Sequence, residues 1–202
     1  MASSEEITTL TFMPDSPCNT VITSPSGKVL YSVETPNIAS KHPITTVRDA
    51  TDEVIATLEW HEVTSDKVIL RGREPMSFSD WMKKSHIPLK EQVDASFKDD
   101  LGRKYKWKGT GPGRCVELHC EDDHYKTVIA RYTRSYRKPN PDGPGVIHTP
   151  GELQLTARAR EIQDLVVLTL LFQEKHTRLQ KGGLSQGAAY GMAMGTAFGA
   201  VA

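Results

Sequence analysis

"DLVVLTLLF", residues 164–172, is apolar from Leu165 to Phe172 with only Thr169 interrupting, and polar, charged sequence flanks it on both sides. At about 100° per residue, Leu165, Val166, Val167, Leu168, Leu170, Leu171 and Phe172 distribute around the whole circumference of a helix, with Ile162 one turn earlier. A helix lying on one face of a sheet would show a stripe instead. A transmembrane helix would need about 20 apolar residues, more than twice this run. What remains is a helix with protein on all sides, its polar ends emerging at either end. Lys175, His176, Arg178 and Lys181 suit the negative pole of the dipole, and Gly182 suits the position after the last turn. The expected helix runs over about 158–180.

The surroundings of that helix are legible upstream. From Ile7 to about Thr156 the chain is a series of short runs rich in branched and aromatic residues, most of them separated by Gly, Pro, Asn or Asp. "ITTLTFM" sets Leu10 and Phe12 against Thr9 and Thr11, and "VLYSVET" puts Val29, Tyr31 and Val33 on one face. "EVIATLEWHEV", "KVILRG", "RKYKWKG", "CVELHC", "KTVIARYT" and "ELQLT" continue the series. "SFSDWMKKS", residues 77–85, interrupts it with a short helix expected from an N-cap at Ser79 through Lys84, Trp81 and Met82 packing inward as a plug. The expected fold is mainly β, a roughly twelve-stranded antiparallel barrel enclosing one C-terminal apolar α-helix about 10 Å across. The competing arrangement is a helix sandwiched between a sheet and other elements.

The expected organisation is a disordered N-terminus over 1–6, a barrel domain over 7–181 and an uncharged Gly/Ala-rich tail over 182–202. Lys plus Arg and Asp plus Glu are each 25, so net charge is zero and a dedicated nucleic-acid binder is disfavoured. "MASSEEITTL" has neither a basic n-region nor an apolar h-region, so no secretory signal is expected. Cys18, Cys115 and Cys120 form a sparse, odd set that fits a reduced compartment. The expected location is the cytoplasm, peripherally at membranes if at all.

Several pieces carry a resemblance. "LTFMPDSPCNTVI" (10–22), "VLYSVETP" (29–36), "DLGRKYKWKG" (100–109), "VIARY" (128–132) and the final helix resemble a fungal family of uncharacterised proteins with a domain of unknown function. "REIQDLVVLTLLFQEKH" (160–176) is also similar to the core helix of the wider Tubby-like superfamily, which includes the LURP-one-related and scramblase-like proteins. That resemblance implies a barrel around the helix and association with phosphoinositides or phospholipids. It carries no phosphate-contacting residue onto a position of this chain.

Few constellations promise chemistry. "GLSQG" (183–187) matches a nucleophile elbow, but a helix precedes it and no Asp, Glu or His follows. "CVELHCEDDH" (115–124) offers Cys115, His119, Cys120 and His124, yet strand alternation separates Cys120 from Cys115 and His119. A buried Cys120 beside an exposed His119 is the simpler reading. "GTGPG" (109–113) lacks the following helix that a phosphate loop requires. No catalytic residue, metal ligand or cofactor is therefore assigned.

One strand stands out. Lys104, Lys106 and Lys108 share a face opposite Tyr105 and Trp107, with Arg103 and Arg114 near its ends. Each cation contributes about 1 kcal/mol near an anionic membrane surface. In the tail, Gly183, Gly187, Gly191, Gly195 and Gly199 recur every fourth residue, the small-residue spacing of close helix packing. The functional expectation is a non-enzymatic domain that binds anionic phospholipid or a membrane surface. The alternative is a protein-interaction module self-associating through 183–199.

Overall fold

The computed structural model describes residues 6–36, 38–85, 94–110, 115–141 and 143–181. The first arm of the chain is a meander of β1 (Thr8–Met13), β2 (Thr20–Thr23), β3 (Val29–Glu34), β4 (Ile44–Asp49), β5 (Val54–Glu59), β6 (Lys67–Leu70) and β7 (Met76–Ser77). A single helical turn, α1 (Phe78–Trp81), leads into the second arm: β8 (Lys83–Ser85), β9 (Asp94–Lys98), β10 (Lys104–Thr110), β11 (Cys115–Cys120) and β12 (Val128–Thr133). A separate hairpin of β13 (Tyr136–Pro139) and β14 (Val146–Thr149) projects before β15 (Gly151–Leu155). Two helices follow, α2 (Ala157–Arg160) and α3 (Gln163–Lys181).

Thirteen of the described strands form one antiparallel sheet, in the order β7-β6-β5-β4-β3-β2-β1-β15-β12-β11-β10-β9-β8. The chain thus starts in the middle, runs out to one edge, crosses through α1 and returns from the other edge. The seam is β1 against β15, with Leu10 opposite Leu153. The expected closed barrel is corrected here: the sheet is curled but open, with no ladder between β7 and β8 among the described residues. These edge strands are only two and three residues long, and α1 turns the chain between them, so covalent chain bridges the gap.

Alternation makes the concave face apolar. Leu10, Ile22, Leu58, Tyr105, Trp107, Leu118, Leu153 and Leu155 are buried there. The centre of α3 fills it, and every residue from Val166 to Lys175 is buried. The lining comes from both arms. The Tyr31 hydroxyl of β3 donates to Asp164 at 2.6 Å, and the Trp107 indole of β10 donates to Thr169 at 3.0 Å. Trp81 of α1 meets Phe172 edge-on, with ring centroids 5.9 Å apart.

Two local expectations are corrected. Ser77, not Ser79, caps α1, its hydroxyl accepting from the Asp80 N–H at 3.1 Å, and the helix ends at Trp81. Trp81 and Met82 are buried as the plug reading requires. The C-terminal helix breaks at Glu161–Ile162, where the Ile162 N–H reaches back to the Ala159 carbonyl and closes a tighter turn. The expected terminal Gly182 and the tail over 182–202, including "GLSQG", lie outside the described residues.

Candidate functional site

The lysine strand is where the sequence places it, and register widens it. Tyr105 and Trp107 of β10 are buried, while Lys104, Lys106 and Lys108 occupy the outer face. Antiparallel partners point to the same side of a sheet. Lys104 stands directly opposite Lys98, and Lys106 opposite Ser96, which in turn pairs with Lys83. Lys83, Lys98, Lys104, Lys106 and Lys108 therefore share the outer face of β8–β10. Lys83 and Lys98 are exposed, and neither makes an ion pair with a described residue.

The β10 lysines each have a local partner. Lys104 donates to Glu121 at 2.9 Å, and this hydrogen bond raises its pKa. Lys108 lies across from Glu117, but that carboxylate is held by Arg131 at 2.6 Å. Lys108 donates instead to the Tyr125 carbonyl at 2.8 Å. The Lys106 ammonium sits 4.9 Å from the centre of the Tyr125 ring, a cation–π contact.

Tyr125 is held in place at a cost in backbone strain. His124 and Tyr125 both adopt left-handed conformations, φ +60 and +59. Each such residue costs on the order of 1–3 kcal/mol and persists only where its surroundings enforce it. Here Asp123 enforces it, accepting from the N–H groups of Lys126 and Thr127 at 3.1 and 2.6 Å. The Thr127 bonds hold the Asp123 carboxyl at a pKa of about 2.

The other expected members separate from this face. Arg103 turns to Asp99 at 2.5 Å and lines a cleft of about 470 Å³ at the N-terminal end of α3, with Arg160, Glu161 and Asp164. The Tyr105 hydroxyl also donates to Asp99, and burial pushes its pKa up to about 12. Arg114 lies outside the described residues. His119 is buried rather than exposed: it keeps its outward place opposite Lys106, but Glu117, Lys108 and Thr127 crowd around it on that face. Burial, then the nearby Lys108 charge, lowers its pKa.

Sequence reasoning missed Lys83 and Lys98, which reach the site only through strand pairing. It also missed a cluster on the other arm, where His42, Glu59 and His61 bring their side-chain ligand atoms within 4.8 Å of one another. "EWH" at 59–61 was the available signal, since residues two apart share a strand face.

A family of unknown function, DUF6593, matches residues 15–179, from the β1–β2 connection to near the end of α3. The chain belongs to this family. The match spans the lysine face and the concave surface apart from β1. Comparison with curated proteins gives no match. Among solved structures, a protein from Arabidopsis thaliana determined by X-ray crystallography is similar over 85% of this chain and 93% of its own, with 16% identity and a TM-score of 0.48. No described helix is long and apolar enough to cross a membrane.

Proposed function

We propose that the domain is a non-enzymatic module that docks on anionic phospholipid through the outer face of β8–β10. The observation that carries this reading is the direct opposition of Lys98 and Lys104, with Lys83, Lys106 and Lys108 around them. Like charges facing each other across a ladder destabilise a sheet. An anionic surface converts that local cost into attraction. Tyr125, under Lys106, supplies an aromatic group of the kind enriched at membrane–water boundaries. The sequence resemblance to Tubby-like proteins supports the same ligand class.

Lys83 and Lys98, which have no ion-pair partner among the described residues, contribute about 1 kcal/mol each at a charged surface, and Lys104 contributes less because it must leave Glu121. Vesicle co-sedimentation is the test, comparing neutral phosphatidylcholine with vesicles containing phosphatidylserine. Wild type is expected to sediment only with the anionic vesicles and to be released as salt rises. Lys83→Glu combined with Lys98→Glu should weaken this by on the order of tenfold or more, both side chains being exposed and dispensable to folding. Wild-type binding unchanged by these substitutions would remove the lysine face from the account. No binding to either vesicle would leave an acidic protein as the partner for this face.

A further inference from the structure

We infer that His42, Glu59 and His61 form a binding site for one divalent transition-metal ion of the zinc class, on the opposite arm from the lysine face. The site follows from the β4–β5 register. Ile44 pairs with Glu59, and the ladder continues with the Trp60 N–H donating to the Pro43 carbonyl at 2.9 Å. The next position outward sets His42 beside His61, and their ring centroids are 4.9 Å apart. Glu59 lies two residues before His61, on the same face. Strand geometry alone thus brings two imidazoles and a carboxylate together.

The spacing suits a metal. His61 Nε2 and Glu59 Oε1 are 3.4 Å apart. The edge of a tetrahedron built on bonds of about 2.0–2.1 Å is roughly 3.4 Å. His42 is exposed, and all three ligand atoms lie within 4.8 Å, so a small side-chain rotation completes a three-ligand cradle. The Nδ1 of His42 is 3.4 Å from the Trp60 carbonyl oxygen, and the His61 backbone N–H donates to the buried Asp66 at 2.9 Å, fixing the chain there. A ring nitrogen tied to a carbonyl leaves the other for a metal and sets its orientation. Two imidazoles and one carboxylate favour Zn²⁺ over Mg²⁺ or Ca²⁺, and three protein ligands leave a fourth position to water. Bound there, the ion would pin the β3–β4 connection to the β5–β6 connection.

The test is Zn²⁺ titration of chelator-stripped full-length protein by calorimetry, with thermal unfolding and Co²⁺ absorption in parallel. Wild type is expected to bind one ion per chain, to give a Co²⁺ spectrum of low coordination number and to gain roughly 5–10 °C in Tm near 100 times Kd. Excess Mg²⁺ should not compete. His42→Ala and His61→Ala should each weaken binding at least tenfold, while His148→Ala, in the separate hairpin, should bind as wild type. His42 is exposed, so its variant should keep native circular dichroism. No Zn²⁺-dependent shift in wild type, or equal binding by folded His42→Ala, would overturn the inference and reduce the cluster to a Glu59–His61 contact with a tilted ring beside it. The vesicle experiment has no bearing on either outcome, because its lysines lie on β8–β10.

Discussion

Asp66 and Lys175 are both nearly removed from solvent and form an ion pair, with the Lys175 ammonium 4.4 Å from the centre of the Trp60 ring. Burial raises the Asp66 carboxyl, but His176, Lys175 and the His61 N–H outweigh it and hold its pKa at about 2. Asp66→Ala would leave Lys175 buried without a counter-charge, at a cost of about 3–5 kcal/mol in urea unfolding at neutral pH. Asp15 offers a pH test on the other side of the α3 C-terminal half. Burial raises its carboxyl, yet Arg178 at 2.6 Å, Tyr132 and the Ser135 N–H together lower it below 3.8. A carboxyl depressed in the folded state stabilises above its unfolded pKa, and that stability is lost as pH falls through the folded value. Wild type should therefore exceed Asp15→Asn in stability at pH 6, and the gap should close as pH drops below about 4. At this scale strand alternation was readable: Lys104 out and Tyr105 in follow from period two alone. The burial of His119 was not, because the groups that crowd it, Lys108 and Thr127 among them, meet it only once the strands pair.

The helix α3 explains why a polar residue interrupts its apolar run. Thr169 accepts from the Trp107 indole and donates its own proton to the Leu165 carbonyl at 2.7 Å. Thr169→Val would orphan a buried indole N–H and cost about 1–3 kcal/mol. Leu168 lies in the same buried turn; Leu168→Ala should cost about 2–5 kcal/mol, and Leu168→Asp should abolish folding, as read by circular dichroism. A soluble Leu168→Asp protein with a native spectrum would contradict the enclosed helix. The existence and burial of this element were legible from its all-round apolar pattern. Its break at Glu161–Ile162 was not, since neither Gly nor Pro marks it. The break lets α2 stay against β12 and β15 while α3 turns into the concave face.

At the scale of the molecule, nearly every described strand pairs with its neighbour in sequence, and the exceptions among them are the pairings of β15 with β1 and β12. Local hairpins of this kind are what turn residues announce, which is why the strand series could be read. The addition of Lys83 and Lys98 to the lysine face and the His42–His61 cluster could not, because register across separate strands decides them. The open gap between β7 and β8 was equally hidden: two edge strands too short to pair look in sequence like two more members of a barrel. Amide hydrogen exchange should show this directly, with β7 and β8 exchanging before β1 and β15 at the central seam. The order of the elements also bears on how the chain is made. All fifteen described strands leave the ribosome before the segment that fills their interior. At about 5–20 residues per second, roughly 10–30 s separate the emergence of β1 from that of Phe172. Throughout that interval the nascent chain carries an uncovered apolar surface, so a growing polypeptide of this family is a natural client for chaperones that shield such surfaces until α3 arrives.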